Sequence, residues 1–179
     1  EGKMSGDGKN WSKRSFTPEM VDRAYAAMTV IGPHAKLNGT QIMLYGGEPL
    51  LKENKEVIRY MIDKGCALGY KFMAITNGYD LEEFVEVLHP EKLYKRQITV
   101  DGSKYWHDQR RMHYKDGGSF DKIVGNIEIA LKKGVKVMVR VNTDKLNFDS
   151  IGELKKYFTE LGYYNYGNLF SMYTGLLYD

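Results

Sequence analysis

The residues able to do chemistry gather in a few short stretches. Gly46-Gly47-Glu48-Pro49 places one carboxylate behind two glycines, directly after a short apolar run. Paired glycines let the backbone come close to a ligand, and proline fixes φ for the next element. Glu48 there either accepts hydrogen bonds from a cationic or amine group or caps the helix that follows. Thr76-Asn77-Gly78 is a turn signal at the end of another apolar run, on the same rim as Glu48 if the two runs are parallel strands. Thr99 and Asp101 precede Gly102, and His107-Asp108 and Arg110-Arg111 follow closely. The adjacent His107 and Asp108 suit proton transfer or, as neighbours that rarely face each other, a structural part with Asp108 capping or pairing with an arginine. Arg140 lies between valines, where an arginine needs an anionic partner: Asp101 or a substrate carboxylate.

Other chemistries find less support. His34, His89, His107 and His113 show no metal-ligand spacing, and Cys66 stands alone as a buried or half-buried thiol rather than a nucleophile. No glycine-rich phosphate loop is present. A net charge of +3, with the basic residues scattered, argues against nucleic acid as partner. No apolar stretch approaches the roughly 18 residues of a membrane span, so no membrane partner is expected. A single cysteine fits a reducing, cytoplasmic setting.

The elements that must position these residues alternate. Thr17-Pro18-Glu19-Met20 reads as a capped helix start. Strands are expected over 41–45, 70–76, 96–101 and 135–142, with a weak final one over 163–172. Helices are expected over 52–65, 81–88, 119–133 and 149–161, and residues 102–118 read as a long polar loop, either exposed surface or a lid. Strands separated by helices imply right-handed crossovers and a parallel sheet. The odd positions from Val135 to Val141 are all valine, whereas Met138, Arg140 and Asn142 share the opposite face. Thr99 and Asp101 repeat that pattern opposite Ile98 and Val100. One polar face favours an α/β sheet curled like a barrel over a doubly wound one, whose strands are apolar on both sides. Residues 1–16 read as an irregular segment and 17–179 as the barrel, with both ends cut from something longer.

Taken together, Leu44 to Leu51, Thr76-Asn77-Gly78, Gln97 to Gly102, the His107-Asp108 and Arg110-Arg111 pairs, Gly118 to Asp121, and Val139 to Asn142 resemble the radical S-adenosylmethionine (radical-SAM) superfamily. Within it the chain resembles the branch that matures peptides and sulfatases and carries a SPASM-type C-terminal domain. The resemblance implies a partial (β/α)6, TIM-like barrel truncated at both ends. It implies that Gly46, Gly47, Glu48 and Pro49 hold the amino group of S-adenosylmethionine. Thr76, Asn77, Gly78, Thr99 and Asp101 would surround cofactor or substrate, and Arg140 and Asn142 would reach the carboxylate and ribose. His107, Asp108 and Arg111 would meet substrate or order their loop.

The family's [4Fe-4S] cluster is held by three cysteines in a Cys-x-x-x-Cys-x-x-Cys motif, and this chain has none of them. The resemblance therefore implies a core fragment, itself inactive and without catalytic or metal-ligating residues of its own. The complete enzyme would cleave S-adenosylmethionine reductively and take hydrogen from a peptide or small-protein side chain. Its electrons would come from a reductant such as flavodoxin or ferredoxin. Two alternatives stay open: a cluster-free module binding S-adenosylmethionine or a peptide, and an ordinary barrel hydrolase or aldolase using Asp101 and Arg140.

Overall fold

The computed structural model describes residues 16–35, 41–113 and 115–177. The irregular segment expected over residues 1–16 lies, except for Phe16, outside the described residues. Five parallel strands form one sheet in sequential order: β1 Gln41–Leu44, β2 Lys71–Thr76, β3 Leu93–Thr99, β4 Lys136–Thr143 and β5 Phe170–Leu176. The helices are α1 Pro18–Ala35, α2 Lys55–Ala67, α3 Lys104–Arg110, α4 Phe120–Lys132 and α5 Ser150–Glu160. Right-handed crossovers between strands that never reverse order must all pass over one face of the sheet. Among the described residues the other face carries no helix, as in a barrel wall and unlike a doubly wound sheet. Among the described residues no helix is long and apolar enough to cross a membrane.

Side-chain alternation carries this layering. Val137, Val139 and Val141 of β4, Ile98 of β3, and Phe72 and Ala74 of β2 are fully buried beneath the helices. They meet Ile62 of α2, Ile127 and Leu131 of α4, and Leu154 and Phe158 of α5 in one core. Each such valine, leucine, isoleucine or phenylalanine side chain contributes about 1.5–3 kcal/mol by leaving water. Thr99, Arg140 and Tyr173 lie in register across β3, β4 and β5 on the helix-free face. Thr17 begins α1 as expected, its Oγ1 accepting the Met20 N–H at 3.3 Å.

Several elements differ from the sequence expectation. The strand placed over 163–172 begins only at Phe170, because Gly162 and Gly167 take positive φ and turn Tyr163–Leu169 into 3-10 turns. Tyr163 then plugs the core, donating its hydroxyl hydrogen to the Val124 carbonyl. The helix over 81–88 shrinks to one 3-10 turn, Leu81–Phe84, since β3 starts early, at Leu93, and Pro90 intervenes. The helix expected from residue 52 opens as a 3-10 turn, Lys52–Asn54, before α2. The polar loop over 102–118 contains the helix α3.

Early entry into β3 also exposes a conflict in the core. Arg96 shares the helix-facing side with Ile98 and is completely buried. Its Nη2 donates to the Leu93 carbonyl at 3.0 Å, while Nε and Nη1 have no partner. Burial pushes its pKa down to about 9. Replacing a buried, unpaired cation by an apolar side chain of similar length removes the desolvation cost. Arg96→Met should therefore raise the unfolding free energy by about 1–4 kcal/mol, read from urea denaturation. A loss of stability would show that the guanidinium is better solvated than this packing allows.

Candidate functional site

Gly46 and Gly47 take φ of 102° and 50°, conformations that disfavour a Cβ, and a Cβ at either would meet nothing within 4 Å. Backbone geometry, not crowding, thus requires these glycines, and the space beside them is open. Glu48 ties this turn to the next one. Its Oε1 accepts from the Leu50 N–H at 2.9 Å and the Thr76 hydroxyl at 2.5 Å, and its Oε2 accepts from the Asn77 N–H at 2.5 Å. The carboxylate satisfies backbone donors at the ends of two adjacent parallel strands, which otherwise lack acceptors. Thr76 is on the helix-facing side of β2, and its Oγ1 also accepts the Gly78 N–H at 3.0 Å. Gly78 faces inward too: a Cβ there would come within 2.9 Å of the Ile98 side chain.

The segment after β3 forms a second polar assembly. Asp101 is buried and pairs with Arg111, whose Nε donates to Oδ2 at 2.7 Å. The Asp101 N–H donates to Nδ1 of His107 at 3.2 Å, and Nε2 of His107 lies 2.9 Å from Ser119 Oγ. The Ser119 hydroxyl donates to the Arg111 carbonyl at 2.6 Å. A backbone N–H can only donate, so Nδ1 is unprotonated and Nε2 carries the hydrogen, donating to Ser119. No ring nitrogen of His107 is left for proton transfer. Asp108 faces elsewhere and caps α4, Oδ1 accepting the Ser119 and Phe120 N–H groups at 2.7 and 2.9 Å. Gly118 makes room for this cap, since a Cβ there would sit 2.5 Å from Asp108 Oδ2.

This arrangement has a pH consequence. Burial, the largest cause, pushes the His107 pKa down to about 4. An unfolded histidine titrates near about 6.5, so between those values the unfolded chain binds a proton that the folded chain refuses. The contribution of neutral His107 is fully present above about pH 6.5 and is lost as the pH falls toward about 4, on the order of 3 kcal/mol. Denaturation midpoints should drop across that window in the wild type and drop distinctly less in His107→Phe. Parallel profiles would contradict the assignment.

The helix-free face ends at a cavity of about 830 Å³ bounded by Asn77, Asp101, Arg111, Ser119, Asn142 and Asp144 among others. Asp101 Oδ1 and Asn142 Oδ1 are buried without a partner, and so is Arg140 Nε. Asp101 is committed to Arg111, and Arg140 has no acidic partner among the described residues. Gly175 on β5 lies against the Arg140 guanidinium: a Cβ there would be 2.8 Å from Nε. Asn147, fully buried, fastens the strand ends, its Nδ2 donating to the carbonyls of Asp101 and Asn142 at 3.1 and 2.9 Å. Arg110 makes two 2.8 Å hydrogen bonds to Asp144 beside it. Gly46, Glu48 and Pro49 bound a different, more apolar cavity of about 470 Å³ along β1. The structure thus brings Asn77, Asp101, Arg111 and Asn142 around one space and sets the Gly-Gly-Glu-Pro turn beside a second. Sequence reading missed Asn147 and Asp144, which carry no motif; only a polar residue just before a helix start hinted at Asn147.

No protein-family model matches the chain. A GTP 3′,8-cyclase of Aquifex aeolicus (strain VF5) is 28% identical over 153 residues, covering 84% of this chain and 44% of the cyclase. The solved structure of native anSMEcpe with bound AdoMet superposes with a TM-score of 0.62 at 18% identity, over 78% of this chain and 38% of that one. The structure of TYW1 with a lysine-pyruvate adduct bound gives 0.54 at 17% identity, over 90% and 55% respectively. The chain is similar to each of these proteins over part of that protein's length. It spans less than half the length of the curated relative it matches. The structural likeness is one of fold, a parallel sheet with alternating helices consistent with a partial radical-SAM-like barrel.

The resemblance seen in the sequence implies two groups, and the residues present fit them differently. Buried polar atoms without partners at the mouth of the sheet suit a polar ligand with both donors and acceptors. An iron–sulfur cluster does not fit: the chain has one cysteine, and among the described residues no three His, Cys, Asp or Glu side chains gather to hold a metal.

Proposed function

We propose that this chain is the S-adenosylmethionine-holding core of a radical-SAM enzyme whose complete form modifies a peptide or protein side chain. The observation that carries the reading is the coincidence of Asp101 Oδ1, Asn142 Oδ1 and Arg140 Nε, all buried and unpartnered, at the C-terminal end of a helix-free parallel sheet face. In parallel sheets that end is where ligands bind. The AdoMet bound in anSMEcpe, a protein of similar fold, supports the choice of cofactor. The open backbone at Gly46 and Gly47, with Glu48 and Pro49 shaping that turn, lies at the end of β1 beside the separate apolar cavity, and a ligand extending from the polar cavity across the end of β2 would bring its amino group there. Arg140 would meet the carboxylate, and Asn142 the ribose. Asn77, Thr99 and Asp101 would line the remaining space, with Thr76 and Gly78 setting the turn that carries Asn77. When bound and reduced, the cofactor supplies the hydrogen-abstracting chemistry; the chain's own residues bind it, orient it and limit water. Residues 17–179 would act as one unit in this task.

The cluster ligands and the site for a flavodoxin- or ferredoxin-type reductant would belong to other parts of the complete protein, and this chain alone would be inactive. Anaerobic incubation of the complete, iron-reconstituted protein with dithionite and S-adenosylmethionine should yield 5′-deoxyadenosine and methionine. If neither forms, the cluster-free binding module, favoured by the lack of a cysteine set in this chain, takes its place. A barrel hydrolase or aldolase is disfavoured because both ring nitrogens of His107 are committed to hydrogen bonds.

A further inference from the structure

We infer that His107 is a positioning residue: it closes a ring of hydrogen bonds that leaves Oδ1 as the one free acceptor of Asp101, turned toward the ligand. The inference rests on the reading above that Asp101 faces the bound molecule. The donors run one way round, from the Asp101 N–H to His107 Nδ1, His107 Nε2–H to Ser119 Oγ, Ser119 O–H to the Arg111 carbonyl, and Arg111 Nε–H back to Asp101 Oδ2. The remaining backbone group of Asp101, its carbonyl, accepts from Asn147 Nδ2 at 3.1 Å. Backbone N–H, backbone C=O and Oδ2 of Asp101 are thus each held by a different side chain, and only Oδ1 has no partner. His107 cannot touch a ligand, being completely buried, with the Phe120 ring edge-on at 5.7 Å.

The ring also fixes its own chemistry. Neither the imidazolium nor the other neutral tautomer can accept the Asp101 N–H at Nδ1, so either form opens the ring at Asp101. An acceptor held this rigidly selects a ligand that presents a hydroxyl or ammonium donor, because a ligand acceptor placed there would face a buried oxygen.

The test uses the 179-residue chain labelled with 15N and 13C. The imidazole of His107 should show the neutral Nε2–H pattern from pH 5 to 8, and the Asp101 carboxyl 13C resonance should move in His107→Phe. S-adenosylmethionine affinity, measured by calorimetry, should fall about tenfold or more in His107→Phe and in Ser119→Ala, each cutting the ring at a different bond. His107→Asn, which keeps an acceptor near Nδ1, should recover most of that loss. An Nδ1–H or protonated ring at pH 7 would overturn the inference, as would unchanged affinity in both ring-opening variants. If His107→Phe does not fold, Ser119→Ala decides alone. If the wild type binds no cofactor yet the two resonances behave as stated, the cofactor reading fails and the ring stands.

Discussion

Asn147→Leu should destabilise the chain by about 3–5 kcal/mol, the largest stability loss expected from any single polar residue at the site. Leucine matches asparagine in shape but offers no hydrogen bond. The carbonyls of Asp101 and Asn142 would lose their common donor, and the Asp144 N–H would lose the Asn147 oxygen it reaches at 2.9 Å. Each buried, unsatisfied backbone group costs about 1–3 kcal/mol. Asn147→Asp should fare little better, because a carboxylate cannot donate to two carbonyls. The reason for the size of the effect is topological: β3 ends at Thr99 and β4 at Thr143, and the Asn147 amide joins the carbonyls of Asp101 and Asn142 at those two ends. Urea denaturation of the purified variants measures this. A loss under about 1 kcal/mol would mean that water replaces the amide.

Arg140→Gln and Arg140→Met should move stability and binding in opposite directions. The guanidinium is half-buried on β4, with Nε unpartnered and no acidic side chain paired with it among the described residues. Removing such a cation should leave the unfolding free energy unchanged or raise it by about 1 kcal/mol. If it meets a ligand carboxylate, the loss of a charge-assisted contact worth about 1.5–3 kcal/mol weakens binding roughly 10- to 150-fold. A side chain kept at a cost to stability and needed for binding marks a functional position. Gly175→Ala should weaken binding likewise, pressing a methyl onto the guanidinium without touching its charge. Variants that lose stability and binding together would identify Arg140 as structural.

How much of this was legible in the sequence varied with the physics involved. The alternation in Val135 to Asn142 was readable because a strand buried on one side must repeat every two residues. That segment, with its pattern repeated at Thr99 and Asp101, favoured a curled sheet over a doubly wound one, and the sequential strand order agrees. The burial of Arg96 was not foreseen: the strand expected from residue 96 begins three residues earlier, at Leu93, which sets Arg96 inside the strand rather than at its start. The helix α3 was hidden because Lys104 to Arg110 has no apolar stripe beyond Tyr105 and Trp106. Its one buried residue is a histidine held by polar partners. The expected strand over 163–172 slid because φ at Gly162 and Gly167 is set by tertiary packing of Tyr163. At the site, motif spacing located Glu48, Thr76, Asp101 and Arg140 at strand ends or on the sheet. It could not tell that Glu48 and Thr76 bond to each other or that Asp101 pairs with Arg111, since those contacts join residues far apart or on different elements.

The central claim is that the helix-free end of this sheet binds S-adenosylmethionine. Titrating the 15N-labelled chain with the cofactor and following backbone amide shifts tests it most directly. Saturable shifts are expected, concentrated at Gly46, Gly47, Asn77, Asp101, Asn142 and Gly175, with α1 and α5 unmoved. Shifts absent at millimolar cofactor, or confined to the helix-covered face, would contradict it.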